Sequence, residues 1–461
     1  MTRRSFLGTA AGAAAVTIEP MFGAVKGTKS GSFTHLLEGV GREDIKITGV
    51  RPTQLTYFPP TGQYVEEAGP IVTASRNVQV LEVFTDKGIV GIGGGGEAGP
   101  VPDYSYLIGK NPFDTELLGL SDGIEIACWD IIGKAKAVPL YELLATDNKP
   151  NPRVHVYASA GENWTFYDKG DGNRYGIDAL IEEALRYKEM GYDCFKFRPG
   201  TDWEEANMNA EKFGNTICRK LREAVGPDLK LALERIVWEG WTVESCLQIA
   251  PIINDLKFHW FEQPMGDIGP TQFEDYLKIK ERMPNVMLFG GENFRDLAEA
   301  RPFIEQHIYE GIQTDCTHTG TGITESWRIA RVTGFNGLKT VPHSWISAIG
   351  TITNAHICAG VPSGYMSEYF IYPYTPFRDE LLKDPPVPKN SHITLSRKPG
   401  LGIELADLEA LKKKYPYDLN APRIIANPRF PQAMERASAK LKRVRDKYKY
   451  CYYRPMSDGC S

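Results

Sequence analysis

Two kinds of apolar and polar alternation follow one another along the chain. In the first part the period is two, which is typical of half-buried strands, as in Ile45–Val50 and Asn77–Phe84. The turn Thr85–Gly88 leads from the second strand into the apolar run Gly88–Gly93, and this spacing predicts a hairpin. The Pro- and Gly-rich segment Phe58–Val65 predicts a mobile loop between the two strands.

Helical spacing appears next, and then a regular mixture of the two patterns. Ser121–Gly133 is predicted to be a helix with Ser121 as its cap, and short apolar strands alternate with helices from residue 153 onward. The predicted strands are Arg153–Ser159, Cys194–Arg198, Leu229–Glu234, Phe258–Glu262, Val286–Glu292, Gly311–Asp315, Leu338–His343 and Gly364–Glu368. The predicted helices include Ile177–Met190, Met208–Ala224, Val243–Asn254, Thr271–Arg282, Leu297–Tyr309, Thr324–Val332 and Ala348–Ala359. Eight strands that alternate with helices predict a parallel sheet that closes into a barrel.

The order of these elements predicts the domain boundaries. A chain of 461 residues can hold two domains, or one large barrel with an extension. We predict an α/β fold of the TIM type, with an N-terminal α+β domain at residues 45–150 and the barrel at residues 151–385. Residues 386–461 are rich in Lys, Arg, Pro and Tyr, and we expect them to pack back on the N-terminal strands.

Composition excludes some classes of function. The apolar content of 42% and the charged content of 24% are those of an ordinary soluble protein. The net charge of -5 offers no basic surface for nucleic acid. After the first two dozen residues no apolar run is long enough to span a membrane, so we expect no membrane segment in the mature protein.

The N-terminus resembles an export signal. Arg3 and Arg4 precede Phe6-Leu7 and a run of small apolar residues that ends at Val16. This order of charge and apolar residues resembles a twin-arginine signal, which exports folded proteins. We therefore predict a signal segment at residues 1–24, with cleavage near Ala24, and a periplasmic or secreted enzyme.

The eight cysteines show no metal-binding spacing. Most of them are expected to be buried apolar residues. Cys451 and Cys460 lie near the end of the chain and could pair in an oxidising compartment, which the spacing leaves open.

Polar residues recur at the ends of the predicted strands. Seven of the eight strands end in one, and these residues are Lys196, Arg198, Glu234, Glu262, Glu292, Asp315, His343 and Glu368. One such residue alone is more often a cap or a solvated group than a ligand. Because the carboxyl ends of barrel strands converge on one mouth, the set together predicts an active site there.

The residue types indicate the chemistry of this mouth. Glu234, Glu262 and Glu292 would repel one another, and a hard dication that prefers oxygen ligands, Mg²⁺, relieves the repulsion. Such an ion can bind a substrate carboxylate and stabilise the dianion that forms when the α-proton leaves.

His343 is the candidate base, and Asp315 is placed to orient its imidazole. Glu368 is a candidate acid or hydrogen-bond donor. Lys196 and Arg198 point to the same side of a strand and favour an anionic partner.

At this point the chain resembles the enolase superfamily, in its mandelate racemase and muconate lactonizing enzyme family. The matching segments are Gly123–Lys134, Lys196-Phe197-Arg198, Trp260–Pro264, Gly291-Glu292-Asn293, Thr314-Asp315 with Gly320 and Gly322, Pro342-His343 and Glu368-Tyr369. The resemblance implies a modified (β/α)7β barrel under a capping α+β domain that both chain ends build. It also implies metal-assisted removal of a proton α to a carboxylate, and a homo-oligomer, either a dimer or an octamer.

Carried over by position, the resemblance assigns roles to the predicted residues. Glu234, Glu262 and Glu292 match the ligands of one Mg²⁺ ion per site, and Asp315 with His343 matches the base pair. Glu368 matches the acid of the last strand, and Lys196 the lysine that contacts the substrate carboxylate. Asn293 and a loop around Gln63, Tyr64 and Val65 are further candidates for substrate contact.

The chain departs from the family pattern in three places. Glu234 stands where Asp is usual, without the usual Asn two residues later, and Glu239 competes for the role of first ligand. An insertion-like stretch, Thr201–Glu205, follows the second strand. Arg198 stands where the family has a second lysine, the base for the opposite face of the substrate.

Arg198 decides between the reactions that the family implies. A racemase needs a base on each face of the α-carbon, and arginine, with a pKa above about 12, is not deprotonated in proteins. We therefore predict a Mg²⁺-dependent sugar-acid dehydratase, which needs one base and forms a 2-keto-3-deoxy acid from an aldonate or aldarate. A racemase or epimerase, and a non-catalytic sugar-acid binding protein on the same scaffold, remain as alternatives.

Overall fold

The structure is a computed structural model. It describes residues 36–426 except positions 38, 115 and 423 and the segments 60–64, 69–70, 120–122, 146–148, 162–176, 199–208, 235–241, 266–272, 318–320 and 372–375. The strands are β1 (Ile47–Tyr57), β2 (Val65–Ala68), β3 (Ile71–Thr73), β4 (Arg76–Thr85), β5 (Val90–Gly94), β6 (Arg153–Ser159), β7 (Cys194–Phe197), β8 (Lys230–Glu234), β9 (Trp260–Glu262), β10 (Met287–Gly290), β11 (Gly311–Ile312), β12 (Lys339–Thr340), β13 (Ser367–Phe370), β14 (His392–Thr394) and β15 (Ile424–Ala426).

The helices complete the set of elements. They are α1 (Ile124–Ala135), α2 (Leu140–Leu144), α3 (Ile177–Glu189), α4 (Ala210–Phe213), α5 (Arg219–Val225), α6 (Val243–Asp255), α7 (Phe273–Arg282), α8 (Leu297–Glu305), α9 (Gly322–Phe335), α10 (Ala348–Gly360) and α11 (Leu408–Lys414). A π-helical segment, Gly214–Cys218, joins α4 to α5, where the sequence pattern predicts one continuous helix. In the described part of the chain no helix has the length and apolar character needed to cross a bilayer.

Eight parallel strands form a barrel. β6 to β12 pair in chain order, and β13 pairs with the other edge of β6. The two remaining edges meet through backbone hydrogen bonds, in which Thr340 N–H donates to Ser363 O (2.8 Å) and Glu368 N–H donates to Pro342 O (3.0 Å). The parallel sheet therefore closes into a barrel with helices between its strands. This confirms the predicted α/β fold of the TIM type.

Strand β6 has the predicted bounds, and the other seven barrel strands are shorter than the apolar pattern predicts. β11 and β12 contain two residues each, so Asp315 and His343 lie just beyond the strands that the sequence assigns to them. Glu368, predicted at the end of its strand, lies inside β13 and pairs with Tyr157. The side-chain pattern cannot show where backbone pairing with a neighbour stops, and that pairing defines the strand ends.

An antiparallel sheet of β1, β4 and β5 lies N-terminal to the barrel and contains the predicted hairpin. Helix α1 packs directly on β5 because two of the three glycines of that strand, Gly91 and Gly93, face the helix. A Cβ atom on Gly91 would lie 2.3 Å from Ala127 O, and one on Gly93 would lie 2.2 Å from Gly123 O. Any larger residue at either position would push the helix off the sheet.

Helix α1 also contacts the barrel. The buried carboxylate of Glu125 accepts hydrogen bonds from Ile323 N–H and Thr324 N–H, each at 2.8 Å, at the start of α9. Burial is the main cause that raises the pKa of this carboxyl to about 7. One side chain of the N-terminal part thus caps a barrel helix and aligns the two.

The C-terminal segment returns to the N-terminal strands. β14 pairs with β6, β15 pairs with β3, and Thr56 N–H of β1 donates to Tyr415 O (3.3 Å). The predicted domain boundaries stay a prediction. The signal segment and Cys451 and Cys460 lie outside the described residues. The six cysteines of the described part are buried and free, as predicted.

Candidate active site

The carboxyl-terminal mouth of the barrel brings most of the predicted residues together. Lys196 lies on β7, Glu234 ends β8 and Glu262 ends β9. Glu292, Asp315 and His343 follow β10, β11 and β12 within a few residues. Each of these side chains is at least nine-tenths buried. The mouth is therefore a buried cluster of charged groups and not a solvated rim.

Three carboxylates form the acidic part of this cluster. Glu234, Glu262 and Glu292 each offer an oxygen, and these oxygens all lie within 4.8 Å of one another. Trp260 Nε1–H donates to Glu262 Oε2 (2.8 Å) and holds that carboxylate in place. Three close oxygen ligands with negative charge fit a hard divalent cation such as Mg²⁺.

The ammonium group of Lys196 lies among the carboxylates. Its Nζ is 2.5 Å from Glu234 Oε2, 2.5 Å from Glu262 Oε1 and 3.0 Å from Glu368 Oε1. Burial alone would lower the pKa of this lysine, but the three carboxylates outweigh burial and raise its pKa above the usual range. Lys196 is therefore a fixed cation in this site.

Arg198 follows directly after β7 and is also held in place. Its Nη2 is 2.7 Å from Glu234 Oε2, and its guanidinium lies over the indole ring of Trp345 at 4.8 Å from the ring centroid. Nη1–H donates to Ser159 Oγ at 3.4 Å. These contacts use the guanidinium as a structural cation, because an arginine gives up no proton at neutral pH.

His343 and Asp315 form a dyad. His343 Nδ1 lies 2.7 Å from Asp315 Oδ2, and the carboxylate can only accept, so Nδ1 carries the proton. The other oxygen of Asp315 accepts from Thr317 N–H (2.8 Å) and from Asn354 Nδ2–H (2.9 Å). The orientation of the imidazole is thus set, and Nε2 is its reactive nitrogen.

Nε2 of His343 faces two further carboxylates. It is 3.6 Å from Glu292 Oε2 and 3.6 Å from Glu368 Oε2. Burial lowers the pKa of His343, but Glu368, Glu292 and Asp315 together raise it to about 10. At this pKa Nε2 also holds a proton at neutral pH, so His343 can act as a base only when cation binding by Glu292 has removed enough of this effect.

Glu368 is ionised in this environment. Burial raises its pKa, but Lys196, His343 and Arg198 outweigh burial and lower its pKa to about 2. Its Oε2 also accepts from Ser344 N–H (3.0 Å). In this arrangement Glu368 is an acceptor, whereas the sequence left open whether it acts as an acid.

Other predicted residues have a less defined place. Asn293 follows Glu292 in a turn and is half-buried. Gln63, Tyr64 and Glu239 lie outside the described residues, so a loop over the substrate and the choice between Glu234 and Glu239 stay predictions.

Sequence reasoning missed residues that support the site. Trp345 lies two residues after His343, and the two rings are nearly parallel, with centroids 6.3 Å apart. Arg76, at the start of β4, places its guanidinium 5.4 Å from the centroid of Trp345, so this indole contacts two cations. Asn354 of α10 anchors Asp315. The only signal in the sequence was the closeness of Trp345 to His343.

Comparisons with known proteins identify relatives of this chain. A family model described as "Enolase C-terminal domain-like" matches residues 179–409. The chain is 27% identical to a D-xylonate dehydratase of Haloferax volcanii over 415 residues, 82% of this chain and 94% of the relative. It is 26% identical to an arabinonate dehydratase of Saccharolobus solfataricus over 63% of this chain and 70% of the relative. A solved structure from a Polaromonas species, described as a member of the enolase superfamily, superimposes with a TM-score of 0.67 at 23% identity and covers 82% of this chain and 100% of its own.

Proposed function

The chain belongs to the enolase superfamily, and on this premise we propose that it is a Mg²⁺-dependent sugar-acid dehydratase. It would remove the α-proton of an aldonate or aldarate, eliminate water and form a 2-keto-3-deoxy acid. Relatives named as D-xylonate and arabinonate dehydratases, at 27% and 26% identity, support this class of reaction.

One observation carries the choice of elimination over racemisation. Among the described residues of the mouth His343 is the one oriented base, while Arg198 stands at the position of the second base and is bound to Glu234 at 2.7 Å. Lys196 is also unsuited to remove a proton, because three carboxylates keep it charged. A reaction that needs one base fits this set, and a reaction that needs two does not.

Each residue then has a defined task. His343 Nε2 removes the α-proton, and Asp315 stabilises the imidazolium that forms. The electrons of the broken C–H bond form a double bond to the β-carbon, and the bond from that carbon to its hydroxyl breaks. Because Glu368 is ionised, His343 is the better donor of the proton that converts the departing hydroxide into water. The resulting enol becomes the 2-keto-3-deoxy acid.

The carboxylate end of the substrate would meet the charged groups of the mouth. Glu234, Glu262 and Glu292 fit a Mg²⁺ ion, which when bound would supply positive charge close to the substrate carboxylate as it gains electron density. Lys196 adds a second fixed charge at the same place. Arg198, held beside Glu234, would add its charge on the same side and help to position a distal group of the substrate.

A substrate panel tests the proposal. Aldonic and aldaric acids incubated with the protein and Mg²⁺ in D2O should yield 2-keto-3-deoxy acid, detected as its semicarbazone. A racemase or epimerase would instead place solvent deuterium at the α-carbon of recovered acid without a keto product. A non-catalytic binding protein would bind a sugar acid and do neither. Either of these results would overturn the dehydratase assignment.

Two further points remain proposals. Export by the twin-arginine route depends on residues 1–24, which lie outside the described residues. A homo-oligomer is expected from family membership, and light scattering of the purified protein would measure its mass.

A further inference from the structure

A second polar cavity lies at the other end of the barrel. It encloses about 300 Å³, and its wall includes Lys149, Arg153, His155, Tyr365 and His392. Arg153 begins β6, whereas Ser159 ends that strand and contacts Arg198 of the active site. Six residues of extended chain separate the two sites by about 20 Å.

Strand pairing builds the polar wall. β14 runs antiparallel to β6, with His392 opposite His155 and Thr394 opposite Arg153. The two imidazole rings stack, with centroids 4.9 Å apart and planes inclined by 15°. Arg153 and His155 are two positions apart and share one face of the strand. The arginine and both imidazoles therefore face the same space.

The charge of this wall is positive. Among the described residues that line the cavity none is acidic. Asp193 contacts this wall through its Oδ1, which binds His155 Nε2 (2.8 Å), and its Oδ2 binds Lys230 Nζ (2.8 Å). Burial raises the pKa of Asp193, but His155 and Lys230 outweigh burial and lower it. Its negative charge is thus engaged, and Lys149 and Arg153 form no ion pair with any described residue of the chain.

The charged donors of this wall are Lys149 and Arg153. His392 Nδ1 lies 2.6 Å from the carbonyl oxygen of Asn390, so that nitrogen carries the proton and Nε2 of the neutral ring is an acceptor. The carboxyl end of α10 also borders the cavity, and its partial charge of about −0.5 opposes an anion. The full charges of Lys149 and Arg153 exceed it.

We propose that this cavity binds a small phosphate monoester at a site separate from the catalytic mouth. An arginine fork and a lysine supply charged donors that match the several acceptor oxygens of a phosphate group. Ala359, Val361 and Pro362 supply an apolar wall for a short carbon skeleton, and the cavity is larger than inorganic phosphate requires.

Calorimetric titration of the full chain with glycerol 3-phosphate tests the proposal. We expect saturable binding with a Kd below about 1 mM, weaker binding of inorganic phosphate, and no binding of glycerol. Arg153→Gln should weaken binding about tenfold or more, because a charged donor to the phosphate is lost. Dehydration activity should stay unchanged in this variant. Lys220→Gln, which removes an exposed charge of α5 outside the cavity wall, should bind as the unmodified protein does.

Three results would overturn the proposal. They are the absence of saturable binding, equal binding by Arg153→Gln, and equal binding of inorganic phosphate and the monoester. Arg153→Lys provides a second variant, which keeps the charge and should retain part of the affinity. Melting temperatures of all variants would show whether each one is folded. Since the site shares no residue with the catalytic mouth, neither phosphate binding nor its absence tests the proposed dehydratase activity.

Discussion

Asp315 holds the base of the active site through a hydrogen bond of 2.7 Å between its Oδ2 and His343 Nδ1. Its other oxygen accepts from Thr317 N–H, Thr317 Oγ1–H and Asn354 Nδ2–H, so the carboxylate cannot rotate away from the imidazole without loss of three hydrogen bonds. This chain of contacts fixes which nitrogen of His343 faces the substrate. The proposed chemistry depends on it.

Asp315→Asn should therefore impair the chemical step more than substrate binding. An amide can donate to Nδ1 and favour the wrong tautomer of His343, so we expect kcat to fall about 100-fold or more, with a small change in KM. Steady-state kinetics on the substrate found in the panel measures both constants. Asn354→Ala removes one hydrogen bond to Asp315 and serves as the control. It should lower kcat less than Asp315→Asn does. An unchanged kcat of Asp315→Asn would contradict the role of Asp315 in proton removal by His343.

Metal binding should stabilise the fold. Because Glu234, Glu262 and Glu292 lie together and are buried, Mg²⁺ at about 100 times its Kd should add about 2.7 kcal/mol to the free energy of unfolding. We expect EDTA to lower the melting temperature and abolish turnover, and Mg²⁺ to restore both. Glu292→Gln should lose most of the thermal shift, whereas Glu305→Gln, at an exposed position of α8, should keep it. A melting temperature that does not respond to EDTA would contradict the site.

Much of this molecule could be predicted because its signals are local. Alternating apolar strands and helices indicate a barrel wherever they occur, and the barrel places residues such as Glu234 and Glu262 at one mouth. The position of Lys196 among three protein carboxylates was not predictable, since charge counted along the chain does not show which groups meet. The strand pattern suggested an anionic substrate for this lysine, and the nearest anions are the protein's own.

Contacts between residues that lie far apart in the sequence were not predicted. Arg76 begins a strand of the N-terminal sheet, and the sequence alone would place a charged residue there at the surface. It is instead buried, and its guanidinium lies over Trp345. The second cavity depends on the pairing of β6 with β14, which are more than 200 residues apart in the chain. Such contacts follow from the closed topology, and no local period reports them.

Glu125 should make stability depend on pH. Its pKa in the folded protein is about 7, above the ordinary value of 4.5, so the folded state binds a proton more tightly than the unfolded state. The free energy of unfolding should therefore fall as pH rises from about 4.5 to about 7, by roughly 3 kcal/mol from this group. Glu125→Gln cannot titrate and serves as the matched control. Urea unfolding at several pH values, compared between the two proteins, measures the difference. A difference that stays constant over this range would contradict the prediction.

Arg198 offers the sharpest test of the proposed preference for elimination over racemisation. If the arginine excludes racemisation only because it cannot lose a proton, Arg198→Lys should supply a second base at the same strand position. The new lysine would stand close to Lys196, and like charges lower the pKa of a lysine and help it to act as a base. We expect Arg198→Lys to incorporate solvent deuterium at the α-carbon of recovered substrate, with partial loss of dehydration.

Arg198→Gln removes the charge and adds no base, so it should lose activity without exchange. Mass spectrometry of the recovered acid in D2O separates the two variants. Exchange by Arg198→Gln, or its absence from a folded and Mg²⁺-binding Arg198→Lys, would mean that another feature of the mouth determines the reaction.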